Sequence, residues 1–353
     1  MKVKYIVLFL FFSTIHSFSQ DRVIGQVLDF STKEPIPGVY VYYENKSIGT
    51  SSDIDGEFSL KYNSKITSPI VFSIMGYTTI KISSTELTPN KRISIYLKTE
   101  VLEEVVIDHS GMKWKTKFNE FKKHYLGITD NGKSCKIKNP KDLILTYKPQ
   151  EKKLVAKAKA PIIIENNRLK YLITIDQLYF QANYRSVSSN YRSFDVKSTY
   201  YTGSAFYKDL IDSTDVETKK IRLKTYQGSI LHFMRSLAKL KLTDDGFYVH
   251  LVKKEMVKRD DVSKKITVEP INEGVVLVSF PSPLLAIFHE KNLETPNRDS
   301  KSLFENYSFI ENLGYYFTID SFGNYSSKDK IIFSGLLGAT RVGDALPLDF
   351  LIE

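Results

Sequence analysis

The sequence has 353 residues, 42% hydrophobic and 25% charged, with a formal net charge of +10 at pH 7. This length is enough for two or three domains. The single cysteine, Cys135, excludes an internal disulfide framework, so the fold must rest on buried apolar cores. A lone cysteine in an exported protein is either a reactive thiol or a buried structural side chain, and the second is commoner.

Residues 1–20 have the order of a secretory signal peptide. Lys2 and Lys4 give a basic start, residues 5–12 form an unbroken apolar run, and Ser17 and Ser19 place small residues before a cleavage point. The run is too short for a stable bilayer-spanning helix, so we expect a cleaved leader rather than a membrane anchor. No cysteine lies near the cleavage region, which argues against a lipid anchor.

The charge pattern bears on partners and location. Loss of Lys2 and Lys4 with the leader lowers the net charge to +8, and the remaining basic residues are mixed with acids, as in KKEMVKRDDVSKK. Such a surface is solvated and has some affinity for anionic envelope polymers or lipid headgroups. Export argues against nucleic acid. We therefore expect a periplasmic or outer-membrane-associated protein whose partner is an envelope protein or a glycan.

Residues 21–107 read as short β-strands separated by turns. The strand-like runs are VIGQVLDF, GVYVYYEN, GEFSLKY, PIVFSIMGY, TTIKIS and RISIYLK, and several of them alternate with period two. The connections are rich in Gly, Pro, Ser, Asn and Asp. About seven strands in such a length predict an antiparallel β-sandwich.

These elements, in this order and closing with LEEVVI at 102–107, resemble the carboxypeptidase-regulatory-like domain. The resemblance implies a seven-stranded prealbumin-like (transthyretin-like) β-sandwich and an origin in the Bacteroidetes envelope, where the module often precedes a TonB-dependent receptor. It covers about a quarter of the chain and implies no enzyme activity. Fewer than 250 residues follow LEEVVI, too few for a full receptor. The resemblance assigns no function to the C-terminal region.

Residues 108–353 predict a β-rich α+β domain. Helices are expected in KWKTKFNEFKKHYLG, where Trp114, Phe118, Phe121 and Tyr125 share one face, and in SILHFMRSLAKLKL with Ser229 as N-cap. Strands are expected in the apolar runs around them, and YYFTIDSFGNYSS is expected to pair with KIIFSGLLG as a hairpin. A membrane-embedded β-structure over residues 136–353 is opposed by the charges of KKEMVKRDDVSKK.

The stretch SSDIDGEFSL resembles the first half of a calcium loop. With Ser51 as position 1, Asp53, Asp55 and Gly56 fall in register, but position 12 is Tyr62, which cannot chelate a hard cation. We therefore predict a tight turn between two strands.

Classical catalytic motifs are missing from the sequence. His109, His124, His232, His250 and His289 lack the H-x-x-E and H-E-x-x-H spacings of zinc peptidases, and there is no G-x-S-x-G elbow or P-loop. Ser229 beside His232 could be a nucleophile pair, but a helix cap explains it better. The acid pairs Asp244–Asp245, Asp260–Asp261 and Glu103–Glu104 stand beside turns or strand ends, where solvated charge is usual. We predict no catalytic, cofactor-binding or metal-binding residue.

One segment could carry a binding surface. It is NYRSVSSNYRSFDVKSTYYTGSAFYKDL, with Tyr184, Tyr191, Phe194, Tyr200, Tyr201, Phe206 and Tyr207 among polar residues. Such aromatics serve contacts with proteins or carbohydrates when exposed and packing when buried.

Taken together, the sequence predicts a non-enzymatic envelope protein with a binding or scaffolding role, whose sandwich acts as a docking or spacer module. The alternatives are a glycan- or peptide-directed hydrolase with its site in the C-terminal domain, and an accessory protein of a TonB-dependent uptake system.

Overall fold

The first unit of the fold is a β-sandwich. It is built from the N-terminal strands, in which buried and exposed residues alternate. The computed structural model describes residues 21–100, 110–212, 215–253, 256–290, 307–314 and 316–352. The sandwich strands are β1 (Arg22–Asp29), β2 (Tyr40–Tyr43), β3 (Gly49–Ser51), β4 (Glu57–Lys61), β5 (Ile70–Ser73), β6 (Ile80–Ile82) and β7 (Arg92–Leu97).

Two sheets pack face to face in this sandwich. Their strand orders are β4-β1-β7 and β3-β2-β5-β6, and all pairings are antiparallel except that of β1 with β7. Alternate residues of β1 point inward, so Val23 and Val27 are buried with Phe58 and Phe72 in the sandwich core. The predicted seven-stranded sandwich is confirmed.

The second unit is a sheet covered by helices, and its longest strands form one hairpin. Its elements are α1 (Trp114–Tyr125), α2 (Asp130–Ser134), β8 (Cys135–Ile137), β9 (Leu143–Lys148), β10 (Lys153–Ala158), β11 (Ile162–Asn166), β12 (Tyr171–Val187), β13 (Phe194–Asp209) and α3 (Val216–Tyr226). β12 pairs along its length with β13, and on its other edge with β11 and then β10. We call this the middle sheet.

The third unit has two smaller sheets around a core of its own. Its elements are α4 (Ile230–Ala238), β14 (Phe247–Lys253), β15 (Met256–Asp261), β16 (Thr267–Asn272), β17 (Val275–Ser279), β18 (Leu284–His289), β19 (Ser308–Asn312), β20 (Tyr316–Asp320), β21 (Ile331–Ser334) and α5 (Gly335–Gly338). The strand orders are β15-β14-β18-β19-β21 and β16-β17-β20. We call these the C-terminal sheets. The described part of residues 108–353 thus contains two separate apolar cores.

The last segment of the chain returns to the middle sheet. Val342 and Leu346 belong to the core of that sheet. The backbone N–H of Gly343 donates to the Leu126 carbonyl at 3.0 Å, and Asn166 donates to the Gly343 carbonyl at 2.9 Å. This segment therefore ties the C-terminal sheets to the middle sheet.

The predicted mostly β architecture is confirmed, and both predicted helices form as α1 and α4. Helices α2 and α3 were not predicted. The hairpin between YYFTIDSFGNYSS and KIIFSGLLG is wrong: β20 pairs with β17 and β21 pairs with β19, while GLLG forms α5. The chain does turn at Gly323, but Tyr325 makes only an isolated bridge to Ile319.

Three predictions concern residues outside the described ranges: the leader at 1–20, LEEVVI at 102–107 with its acid pair, and His109. Among the helices that the structure does describe, none is both long enough and apolar enough to cross a membrane.

Candidate functional site

The calcium-like stretch is a turn between β3 and β4. The Asp53 carboxylate accepts the backbone N–H groups of Asp55 at 3.0 Å and Glu57 at 2.8 Å, which is the bonding of an Asx turn. Gly56 takes a φ of 71°, and a Cβ there would lie 2.5 Å from the Val27 carbonyl oxygen. These aspartate and glycine residues therefore shape the turn.

Ser229 and His232 are arranged as a helix cap. The Ser229 hydroxyl accepts the His232 backbone N–H at 3.1 Å at the start of α4. The His232 Nδ1 atom accepts the Gly228 N–H at 3.1 Å, so its lone pair does not point at the serine hydroxyl. The Nε2 atom lies 3.9 Å from an Asp245 carboxylate oxygen. The predicted cap is present, and the geometry is not that of a nucleophile with its base.

The other titratable residues singled out in the sequence are dispersed. Within the described ranges, no three His, Cys, Asp or Glu side chains come together as a group that could hold a metal ion. Asp261 accepts the Ser263 N–H and hydroxyl, and Asp245 accepts the Ser236 hydroxyl at 2.6 Å. Cys135 is half-buried, and burial raises the pKa of its thiol to about 12, so the thiolate is scarce at neutral pH.

Some side chains of the aromatic segment are buried in the middle sheet, and others are exposed. Tyr184 and Tyr207 are buried in the core of the middle sheet, and Tyr191 donates to the Ser110 carbonyl at 2.7 Å. Tyr200 and Tyr201 on β13 are exposed, at 55% and 37% of their surface. Most of the predicted aromatic surface is therefore packing, and two tyrosines face solvent.

The most distinctive site is a buried carboxylate between the sandwich and the middle sheet. A β-bulge interrupts the β12–β13 ladder after Asp176, where Gln177 has a φ of 50°. Asp176 is only 2% exposed, and its carboxylate accepts the hydroxyl groups of Tyr42 and Ser73 from the sandwich. Burial raises the pKa of Asp176 above its ordinary value, and the two hydroxyl donors oppose that rise.

A buried lysine from the sandwich enters the same junction. Lys46 is fully buried, its ammonium lies 4.0 Å from the centroid of the Phe322 ring, and its Nζ has no hydrogen-bond partner within the described residues. Burial lowers its pKa to about 8, although the carboxylates of Asp320 and Asp349 favour the charged form.

Backbone bonds fix the loop that carries this lysine. The Asn45 N–H donates to the Ala205 carbonyl at 2.7 Å, and the Tyr207 N–H donates to the Lys46 carbonyl at 3.0 Å, which extends the edge of β13. The Leu348 N–H donates to the Asn45 carbonyl at 2.7 Å. One loop of the sandwich thus contacts both the middle sheet and the returning C-terminal segment.

A second carboxylate joins the sandwich to the C-terminal sheets. Asp320 is 1% exposed; one oxygen accepts the Thr67 N–H and hydroxyl at 3.1 and 3.0 Å. The other oxygen accepts the N–H groups of Phe322 and Asn324, each at 2.9 Å. We call the contacts of Asp176, Lys46 and Asp320 with their partners the docking junction.

Two of the cavities among the described residues are lined in part by α3. One, of about 370 Å³, lies between α3, the ends of β12 and β13, and residues 347–352. The other, of about 520 Å³, lies between α2, α3 and the C-terminal sheets, and His289, Asp130 and Asp344 are among its lining residues. Asp344 already accepts hydrogen bonds from Thr129 and Asn131.

The sequence contains one signal for the docking junction. Asp176 interrupts the apolar run LITIDQLYF, and a charge inside a buried strand needs a partner. Lys46 has no comparable signal, because the sequence ENKS is typical of an exposed polar turn.

Comparison with known proteins agrees with the sandwich. Residues 23–107 match the family model of the CarboxypepD_reg-like domain. An alignment of 131 residues is 31% identical to the TonB-dependent receptor SusC of Bacteroides thetaiotaomicron and covers 34% of this chain. The chain spans only 12% of the length of that relative. The sandwich at the N-terminal end of this chain is a CarboxypepD_reg-like domain.

Proposed function

We propose that this chain is an exported cell-envelope protein without enzyme activity of its own, with a binding or scaffolding role linked to TonB-dependent systems. In this proposal residues 1–20 are a cleaved leader, residues 21–107 a docking module, and residues 108–353 the part that the module supports. The protein acts in the periplasm or at the outer membrane.

The buried docking junction is the observation that carries this proposal. A module that served only as a spacer would need few contacts with the rest of the chain. Here Tyr42 and Ser73 bind the buried Asp176, and Thr67 binds the buried Asp320. Buried charges held on several sides fix relative orientation, because a shifted arrangement leaves them unpaired. This supports a module that holds the other sheets in a defined position.

The link to TonB-dependent systems rests on the sandwich family and on the SusC similarity. The family match covers the module, and the SusC similarity lies in the N-terminal part of the chain. The expected partner is therefore an envelope protein of such a system or a glycan that it handles.

Affinity capture from envelope extracts of the native organism tests the role. The full chain without its leader serves as bait, beside an Asp320→Arg variant that breaks the docking junction and an Asp55→Arg variant in the exposed turn as control. We expect the wild type and the control to retain one envelope protein or glycan that the Asp320→Arg variant loses. Recovery of no specific partner by the wild type would contradict the proposal.

One observation favours the hydrolase alternative: a histidine and two carboxylates line the larger cavity. Incubation of the full chain with envelope glycans and with peptide mixtures tests this alternative. Turnover that is lost in His289→Ala and retained in His250→Ala would favour the hydrolase over the scaffold.

A further inference from the structure

The middle sheet has one long strand edge that no other described strand covers. β13 pairs with β12 along one of its edges. On its other edge, within the described ranges, its backbone bonds only to the loop at Asn45 and Lys46, through the Ala205 carbonyl and the Tyr207 N–H. We call residues 195–203, which precede this loop contact along β13, the open edge.

The open edge is longer than any other edge strand in the described part of the chain. At about 3.3 Å per residue it extends over roughly 30 Å. The other edge strands span three to six residues each; they are β3, β4, β6, β7, β8, β9, β15, β16, β20 and β21. Short length and proline, such as Pro270 in β16, are common means of preventing further pairing at an edge. The open edge has neither, and its protection is limited to Lys197 and to bulges in the β12–β13 ladder.

Two exposed tyrosines lie near the middle of the open edge, on opposite faces of the sheet. Tyr200 is 55% exposed and Tyr201 is 37% exposed. The Tyr200 ring contacts Tyr179 with 6.2 Å between centroids, and the Tyr201 ring contacts Tyr125 of α1 with 5.4 Å between centroids. Exposed tyrosines are enriched in protein–protein interfaces, so both faces beside this edge offer contact area to a neighbouring strand.

The charges of the open edge allow it to meet its own copy. It contains one acid and one base, Asp195 and Lys197, and its other residues are neutral. Arg185 of β12 binds Asp195 at 3.1 Å. In an antiparallel two-fold pair centred on Thr199, the Lys197 residues of the two copies lie four positions apart, roughly 13 Å. This separation exceeds the screening length of about 8 Å at physiological ionic strength, so self-pairing brings no like charges together.

We propose that two copies of this chain join through their open edges, in antiparallel orientation, and that their middle sheets form one continuous sheet. The loop at Asn45 and Lys46 already adds to the same edge of β13, and the open edge continues directly from that contact. A second copy supplies an edge of equal length, whose threonines and tyrosines make favourable cross-strand pairs. The inference does not rest on the envelope role, because it concerns the edge of β13 alone.

Sedimentation velocity of the full chain without its leader tests the pairing. One strand pair with its flanking tyrosines is an interface at the low end of the usual size range, so we expect a reversible dimer that forms between about 5 and about 500 µM. A chain that stays monomeric over this whole range overturns the proposal and leaves the edge to a strand from another protein.

Charge substitutions at the centre of the open edge locate the contact. Tyr200→Lys should lower the dimer association constant at least about tenfold, because the two copies then oppose two ammonium groups across the axis. The control is Tyr316→Lys at a 64% exposed tyrosine of β20, which should change the constant less than about twofold. Equal losses in the two variants would contradict the assignment, and thermal unfolding of each variant verifies that it is folded.

A mixture of two variants shows that the edge pairs with itself. Tyr200→Lys and Tyr200→Glu should each be largely monomeric alone, and their mixture should dimerise because opposite charges then meet across the axis. Association in the mixture that is no stronger than in either variant alone would contradict the two-fold arrangement.

Hydrogen exchange reports on the backbone bonds themselves. Exchange in residues 196–203 should slow as the wild-type concentration rises, since added strand hydrogen bonds protect the amides, and it should stay unchanged in Tyr200→Lys. A dimer that forms without this protection uses another surface, and the proposal is then wrong.

Discussion

The ammonium group of Lys46 lies 4.0 Å from the centroid of the Phe322 ring, although the two residues belong to the sandwich and the C-terminal sheets. The aromatic face attracts the cation but offers it no hydrogen bond. Lys46 is therefore a buried charge that the fold accommodates at a cost, and this cost should depend on pH.

Replacement of Lys46 by methionine should stabilise the protein at pH 7. Burial, the largest cause, lowers the pKa of Lys46 from 10.5 to about 8, and this difference corresponds to about 3 kcal/mol. Below about pH 8 the lysine is protonated in both the folded and the unfolded states, so the whole cost is present. Methionine has a similar length and carries no charge.

The advantage of Lys46→Met should shrink as the pH rises from about 8 to 10.5. In this window the unfolded chain holds the lysine proton and the folded protein does not, so the wild type gains stability with pH. Urea unfolding of both proteins across the window measures the difference. A constant difference would show that Lys46 titrates normally in the folded protein.

Removal of a donor from Asp176 should destabilise the junction with the middle sheet. In Tyr42→Phe the buried carboxylate loses one of its two hydroxyl partners, with an expected loss of about 1–3 kcal/mol in the free energy of unfolding. Tyr40 on the same strand is 57% exposed, and Tyr40→Phe should change stability by less than about 0.5 kcal/mol. Denaturant titrations measure both variants. If Tyr42→Phe and Tyr40→Phe lowered the free energy of unfolding equally, the role assigned to the Tyr42 hydroxyl would be contradicted.

The charge of Asp176 should also make stability depend on pH. Because its pKa is raised in the folded state, the unfolded chain loses the proton first as the pH rises above 3.8, and the wild type loses stability there. Asp176→Asn has no such loss, so its stability relative to the wild type should increase over that rise. Thermal unfolding at a series of pH values measures this; a relative stability that falls instead would reverse the assigned direction of the shift.

The sandwich could be predicted from the sequence because its signals are local. Alternation in VIGQVLDF and turns such as DIDG specify strands and connections without reference to distant residues. β20 pairs with β17, which lies about 40 residues earlier in the chain. Local sequence patterns favour pairing with the next strand instead, and the predicted hairpin is therefore wrong. Helix α3, VETKKIRLKTY, was missed because charged residues break its apolar face. The burial of Lys46 follows from docking between sheets and has no local signal, whereas Asp176 is signalled by the apolar run around it but its partners are not.

Substitution of Gly56 should destabilise the sandwich more than substitution of Gly76. Both glycines have positive φ, 71° and 86°, so alanine costs about 1 kcal/mol or more at either position. Only at Gly56 would the new Cβ also meet a backbone oxygen, that of Val27, at 2.5 Å, whereas no atom lies within 4 Å at Gly76. Denaturant unfolding of Gly56→Ala and Gly76→Ala should separate the two effects, and equal losses would show that the turn can shift.

Ser229 provides a test that separates a helix cap from a nucleophile. Ser229→Ala should lower the free energy of unfolding by about 1 kcal/mol, because the His232 N–H at the start of α4 loses its acceptor. Ser229→Asp should keep most of the stability, since a carboxylate also accepts that N–H and lies favourably at a helix N-terminus. Denaturant titrations of the three proteins measure the cap. If the chain hydrolyses an envelope glycan or peptide, a nucleophilic Ser229 predicts that both variants lose the activity, whereas a cap predicts that Ser229→Asp retains it.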